Sequence, residues 1–185
     1  MKNLYFQCAA RSVLGLVRSG NEDSALIGSQ VIAVADGMGG HAAGEVASRI
    51  AVQVLQRLVP TLTSTDIDED SVSDLLMHSL HSIDSEISVV TEEEIEKRGM
   101  GTTLTALLIR EKYVSLLHVG DSRCYRLRGN TLEQLSNDHT VIQELLDQGA
   151  ISLAEAAEHP QRSMLTQALR GDGDVTRSEE RRVGK

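Results

Sequence analysis

Four acidic residues, Glu22, Asp23, Asp36 and Asp121, each stand beside glycine or small polar residues at the edge of an apolar run. They belong to the stretches Arg18-Ser-Gly-Asn-Glu22-Asp23, Asp36-Gly-Met-Gly-Gly-His41 and His118-Val-Gly-Asp121-Ser-Arg123, and a fourth stretch, Gly101-Thr-Thr103, has the same polar-beside-apolar character. Oxygen donors with no thiolate and little imidazole suit hard octahedral cations, Mg²⁺ or Mn²⁺. A pair of such ions lowers the pKa of bound water and clamps the oxygens of an in-line displacement at phosphorus. A nearby arginine matches a phosphate bidentately. Gly37, Gly39 and Gly40 let backbone come close to a ligand at little steric cost. The chemistry this set can do is phosphoryl transfer to water.

Each residue also has a plainer reading. Asp36 can cap the turn that follows it, and Asp121 can be only a turn residue. Glu22 and Asp23 can be solvated loop charges. Arg123 reads as a structural ion-pair partner, His118 as a satisfied core histidine, His41 as structural, and His139 and His159 as surface residues. A nucleotide-binding glycine loop is disfavoured. No GxxxxGK[ST] is present, and the glycines follow a carboxylate that repels phosphate unless a metal intervenes.

The elements must hold these residues in place. Val31 to Ala35 is a short apolar run that reads as a buried strand ending on Asp36, with Leu4–Ala10 and Ala25–Ile27 as its antiparallel companions. From Ala43 to Leu58 the apolar residues follow one helical face, and Pro60 is expected to end that helix. A second stripe runs from Val72 to Val90 after an acidic loop, and Thr91-Glu-Glu-Glu94 has capping-box spacing for a further helical turn that Gly99 closes. Strands follow over Thr102–Ile109, Tyr113–Val119, Ser122–Arg128 and Thr131–Leu135, joined by links short enough to require antiparallel pairing. Thr140 and Ser152 open two short helices. Strands, two long helices, then strands again give an α+β fold.

Composition sets limits on function. Eighteen basic residues against 27 acidic ones leave a net charge of −9, which argues against a binder of nucleic-acid phosphates. Aromatics make up 2% of the 185 residues, so the core must be aliphatic. Two cysteines with no CxxC spacing exclude a disulfide framework or zinc knuckle. No apolar run approaches the ~20 residues of a membrane span, and the expected location is cytoplasmic.

The four stretches, in this order, resemble the metal-dependent protein phosphatases of the PP2C or PPM family, and most of all its bacterial serine/threonine members that partner Hanks-type kinases. The resemblance runs from about Leu4 to Leu169. It implies an α-β-β-α sandwich of two antiparallel sheets flanked by helices, and Mn²⁺- or Mg²⁺-dependent hydrolysis of phosphoserine and phosphothreonine by a metal-activated water. It also implies roles. Asp36 bridges two metal ions with the Gly37 carbonyl as a further ligand, Glu22 and Asp23 hold metal-bound waters, Arg18 binds the substrate phosphate, and Asp121 serves a third, weaker ion. The implied partners are phosphorylated proteins, a Hanks-type kinase and its substrates.

Two departures from the family stand out. Eukaryotic members carry a histidine, proposed as general acid, where this chain has Met38; many bacterial members share the methionine. The family also continues to two late metal-binding aspartates, in a Ser/Cys-Asp-Gly and an Asp-Asn motif, and neither motif occurs here. The expectation is a phosphatase domain over residues 1–171 that is incomplete at its C-terminus. Residues 172–185 are expected to be disordered, with Ser178–Lys185 a foreign end. The alternative to an enzyme is a pseudophosphatase or an inactive fragment that acts at most as a protein-binding module.

Overall fold

In a computed structural model of the chain, residues 5–16, 20–40, 43–110, 113–175 and 179–184 are described. Two strands, β1 (Asp23–Ile27) and β2 (Val31–Met38), lead into helix α1 (Ala43–Leu62) and then helix α2 (Glu69–Glu93). A single 3₁₀ turn, Ile95–Lys97, precedes strands β3 (Gly101–Thr102), β4 (Leu104–Arg110) and β5 (Tyr113–Val119). The hairpin of β6 (Tyr125–Arg128) and β7 (Thr131–Gln134), helices α3 (Val141–Asp147) and α4 (Leu153–Glu158), and strand β8 (Glu179–Gly184) complete the described chain. The larger sheet runs β1-β2-β4-β5-β8 with β3 joined to β2, all antiparallel, and β6-β7 forms a second sheet. This is the α+β, antiparallel-sheet architecture expected.

Period-two alternation decides which face of β2 meets the helices. Val31, Ala33 and Ala35 are buried while Val34 and Asp36 between them are exposed. The buried face receives α1, whose Ala43, Gly44, Ala47 and Ala51 form a stripe of small residues that lets the helix lie close to the sheet. Helix α2 packs on α1 and closes the core with Leu76, Leu80, Ile83 and Ile87, each at most 2% exposed. Every buried apolar side chain is aliphatic or methionine, as the composition requires. The opposite face of the sheet is less covered. A cavity of about 270 Å³ opens there, lined by Cys8, Ala10, Ile27, Val34, Leu107 and Tyr125 among others.

Several elements differ from expectation, some because of a contact distant in sequence and some because of a local bond. Residues 5–10 form no strand; their backbone tie is a single bond from Phe6 N–H to Ser29 O at 2.6 Å, and a strand needs a ladder. Helix α1 continues through Pro60 to Leu62. Pro60 is exposed, so the carbonyl it leaves unbonded can meet water, while buried Leu62 holds the last turn to the core. Helix α2 starts three residues before the apolar stripe because Asp68 caps it, accepting from Ser71 N–H at 2.7 Å. Thr91 caps nothing and instead donates to Ser88 O inside α2. The tail expected to be disordered contains β8, paired with β5 from His118↔Glu179 to Tyr113↔Gly184. An edge of unpaired backbone groups recruits a strand whatever its side chains.

His118 in β5 is the core histidine the sequence suggested. It is fully buried, 3.0 Å from Asn137 O through Nε2 and 2.9 Å from Thr105 Oγ1 through Nδ1. A carbonyl only accepts, so Nε2 carries the proton of the neutral ring; the Thr105 hydroxyl shares its single proton between Nδ1 and Ser122 O, 2.6 Å away. Burial first, and the neighbouring His139 second, push its pKa from 6.5 down to about 4. Between those values the unfolded chain binds the extra proton and the folded one does not. Stability therefore rises with pH across this window and is lost as pH falls toward 4. Urea unfolding at pH 4.5 and pH 7 should differ by up to roughly 3 kcal/mol more in the parent than in His118→Gln. An equal pH dependence in the two proteins contradicts the buried neutral imidazole.

Candidate functional site

The motif residues converge at one end of the larger sheet because its strands alternate in direction. Strand β1 begins with Asp23, β2 finishes through Asp36, Gly37 and Met38, β3 and β4 start at Gly101, and β5 runs out into Gly120-Asp121. Asp23 and Asp36 are register partners across β1 and β2. Both are exposed, so Asp36 does not bury its carboxylate as the end of an apolar run suggested; alternation turns it away from the helices. Two like charges directly opposite each other repel at a separation of ~5 Å. A bound cation converts that repulsion into a ligand pair.

The two aspartates line a cavity of about 230 Å³ together with Arg11, Ser12, Ser24 and Ser122. Arg11 was not singled out from the sequence, since nothing local ties it to Asp36. It enters no ion pair among the described residues, so its guanidinium gives the acidic cavity one positive wall.

The peptide that carries Asp36 is clamped from the neighbouring strand. Asp36 N–H donates to Thr103 Oγ1 at 3.0 Å, and Asp36 O accepts from Thr103 N–H at 2.9 Å and Thr102 Oγ1 at 3.1 Å. The Thr103 hydroxyl also lies 2.7 Å from Ser122 Oγ, which links the clamp to the turn after β5. This assigns a task to Gly101-Thr-Thr103: its threonines position the carboxylate and do not themselves face the cavity.

Behind Asp36, strand and helix touch without side chains. A Cβ on Gly37 would stand 2.1 Å from Gly44 O, and one on Gly44 would stand 2.7 Å from both Gly37 C and Glu22 Oε2. Glu22 O accepts from Gly37 N–H at 3.2 Å and from Ser48 Oγ at 2.6 Å. The Glu22 carboxylate thus rests at the first turn of α1, where the helix dipole favours negative charge. It does not line the cavity of Asp23 and Asp36.

Asp121 lies on the other side of Ser122. It lines a separate cavity of about 680 Å³ with Arg123, Asp138, Gln143 and Arg162. Arg123 is the structural residue expected, held by the buried Asp138 through contacts of 2.6 to 3.0 Å. His139 is not a surface residue. Its Nδ1 accepts from Gly120 N–H at 3.1 Å and its own N–H donates to Gly120 O at 2.8 Å, which fixes the turn before Asp121. Arg18 and His41 lie outside the described residues.

The donor chemistry of this end suits a hard divalent ion, but the donor number falls short of a two-ion centre. Among the described residues no group of three or more His, Cys, Asp or Glu side chains could hold a metal ion.

The contact between Gly37 and Gly44 yields a direct test. Gly37→Ala should cost at least about 3 kcal/mol, because its methyl meets backbone that cannot rotate aside. Thermal unfolding measures it, and a melting temperature within a degree or two of the parent contradicts the close approach.

Comparison with known proteins agrees with this geometry. The Protein phosphatase 2C family model matches residues 21–173. The serine/threonine protein phosphatase PstP of Mycobacterium tuberculosis is 44% identical over 171 residues, which are 91% of this chain and 32% of that protein. The serine/threonine phosphatase stp of Listeria welshimeri is 37% identical over 170 residues, 89% of this chain and 67% of the relative. The chain thus spans about a third of the first relative and two thirds of the second. The crystal structure of the catalytic domain of PstP in complex with two manganese ions superposes with a TM-score of 0.81 at 39% identity, over 95% of this chain and 71% of that one. No helix among the described residues is long and apolar enough to cross a membrane. By its matched span and its antiparallel-sheet fold, the chain belongs to the protein phosphatase 2C family.

Proposed function

We propose that this chain is the larger part of the catalytic domain of a Mn²⁺- or Mg²⁺-dependent phosphatase that acts on phosphoserine and phosphothreonine in proteins. The observation that carries the reading is the register pair Asp23↔Asp36, two carboxylates on one face at the wall of a cavity. A pair of divalent ions, when bound, neutralises phosphate charge and supplies an acidic water. Asp36 and the Gly37 carbonyl would hold the ions, Glu22 and Asp23 would orient water around them, and Asp121 would serve a further, weaker position. Arg18 takes the substrate phosphate. The substrates are phosphorylated proteins, including those of a partner Hanks-type kinase, and the site of action is the cytoplasm.

The protein's own residues contribute orientation. Clamped at its peptide N–H and carbonyl, the Asp36 backbone cannot shift without breaking bonds to Thr102 and Thr103, which fixes the Cα from which the carboxylate projects. Met38 has no proton to donate, so the general acid comes from another group.

A second reading concerns the chain at its present length. With two carboxylates in one cavity and no cluster of three donors among the described residues, it holds divalent ions weakly and is not by itself a competent phosphatase. It then acts at most by binding proteins.

Both readings are testable together. In a protein lengthened to the span of its solved relatives, hydrolysis of p-nitrophenyl phosphate should require Mn²⁺ or Mg²⁺ and vanish in chelator. Asp36→Asn should lower kcat by about two orders of magnitude or more. Turnover unchanged in Asp36→Asn sinks the assignment. The 185-residue chain should show weak Mn²⁺ binding by calorimetry and no turnover. Tight binding of two ions with turnover contradicts the second reading.

A further inference from the structure

Asp84 lies on the inward side of α2 and is 4% exposed. A buried carboxylate is costly unless its oxygens are satisfied. Here Oδ1 accepts from Arg170 N–H at 3.0 Å and Gly171 N–H at 2.7 Å, and Oδ2 accepts from Gly173 N–H at 2.8 Å. The turn they hold lies directly on α2: at φ +78, Gly171 is so close that a Cβ there would be 2.5 Å from Ser88 N. One residue earlier, Leu169 exchanges both backbone bonds with Thr102, at 2.9 and 3.0 Å. Arg170 is therefore fixed by backbone bonds on both sides.

Its side chain has a defined course. Arg170 Cγ is 2.9 Å, and Met38 Cγ 3.5 Å, from the point where a Cβ on Gly101 would stand. The two side chains meet over the bare Cα of Gly101, two residues from Asp36 along β2. Arg170 itself is exposed and enters no ion pair among the described residues. A clamped backbone and a packed stem thus carry this exposed guanidinium beside the β2–β3 strand ends.

We infer that Arg170 is a specificity-determining residue that pairs with an acidic side chain flanking the phosphorylated residue of a protein substrate. The inference rests on the phosphatase reading above. The strand order β2, β3, Leu169 puts the Arg170 backbone two ladder steps from β2, about 10 Å at ~4.8 Å per step. That span equals roughly three residues of extended peptide at ~3.3 Å each. The Arg170 side chain therefore starts within reach of a neighbour of the phosphoresidue, and a carboxylate there is the group its planar fork fits. Asp84 is a positioning residue that acts through Arg170.

The test uses the 185-residue chain with Mn²⁺ and fluorescence anisotropy of short labelled phosphothreonine peptides, one set flanked by Asp and Glu and the other by Ala. The parent should prefer the acidic set about five-fold, the size of an exposed ion pair. Arg170→Met should erase that preference by weakening the acidic set alone, and Arg170→Lys should keep part of it. Because Arg170 is exposed, neither variant threatens the fold. Phosphate-dependent binding whose acidic preference is untouched in Arg170→Met overturns this inference and leaves the phosphatase reading standing. Binding that ignores the phosphate, or no binding of either set, also overturns this inference, whereas the phosphatase reading is decided separately by turnover of the lengthened protein.

Discussion

The site depends on the clamp that β3 and β4 place on the peptide of Asp36. Three bonds from Thr102 and Thr103 hold its N–H and its carbonyl, and the Thr103 hydroxyl extends the network to Ser122. A carboxylate only two rotatable bonds from a fixed Cα needs little reorganisation to meet an ion. The alternative, an aspartate on a free loop, loses that entropy on binding. The clamp also couples the regions of Asp36 and Asp121, since Ser122 follows Asp121 and bonds the same hydroxyl. Disturbing Thr103 therefore moves both.

A second constraint is the bare contact between Gly37 and Gly44. It brings the first turn of α1 against the strand end, and with it the positive pole of a 20-residue helix. Glu22 rests at that turn, so part of the acidic charge is balanced by the fold itself before any ion arrives. On the far face of the sheet the balance is different. Ile27 and Val34 remain about half exposed, and a cavity of about 270 Å³ separates them from the residues around Tyr125. The helix side is closed while the other side is open.

What could be read from the sequence was local and periodic. The apolar stripes of α1 and α2, the strand that carries Asp36, the hairpin from β4 to β5 and the capping box at Ser152 all follow from spacing within a few residues. Asp23, Asp36 and Asp121 were legible as site candidates for the same reason. The rest required partners distant in the chain. Nothing near His139 reveals that Gly120 needs an acceptor 19 residues away, and nothing near Asp84 points to a turn 86 residues later. Pro60 is a breaker by local rule, but core packing at Leu62 carries the helix past it. Strand β8 is recruited by the edge of β5, so its own polar sequence carried no signal.

On the phosphatase reading, the paired strand ends of β1 and β2 present the first landing place for a divalent ion. Paramagnetic broadening measures this most directly. Mn²⁺ added in substoichiometric steps to the isotope-labelled protein should erase the amide resonances of Asp23, Asp36 and Gly37 first, with those of Glu133 and Glu158, which do not line the Asp23–Asp36 cavity, persisting. Broadening that begins in the acidic stretch Glu92–Glu96, or that spreads evenly over the surface carboxylates, would contradict the claim.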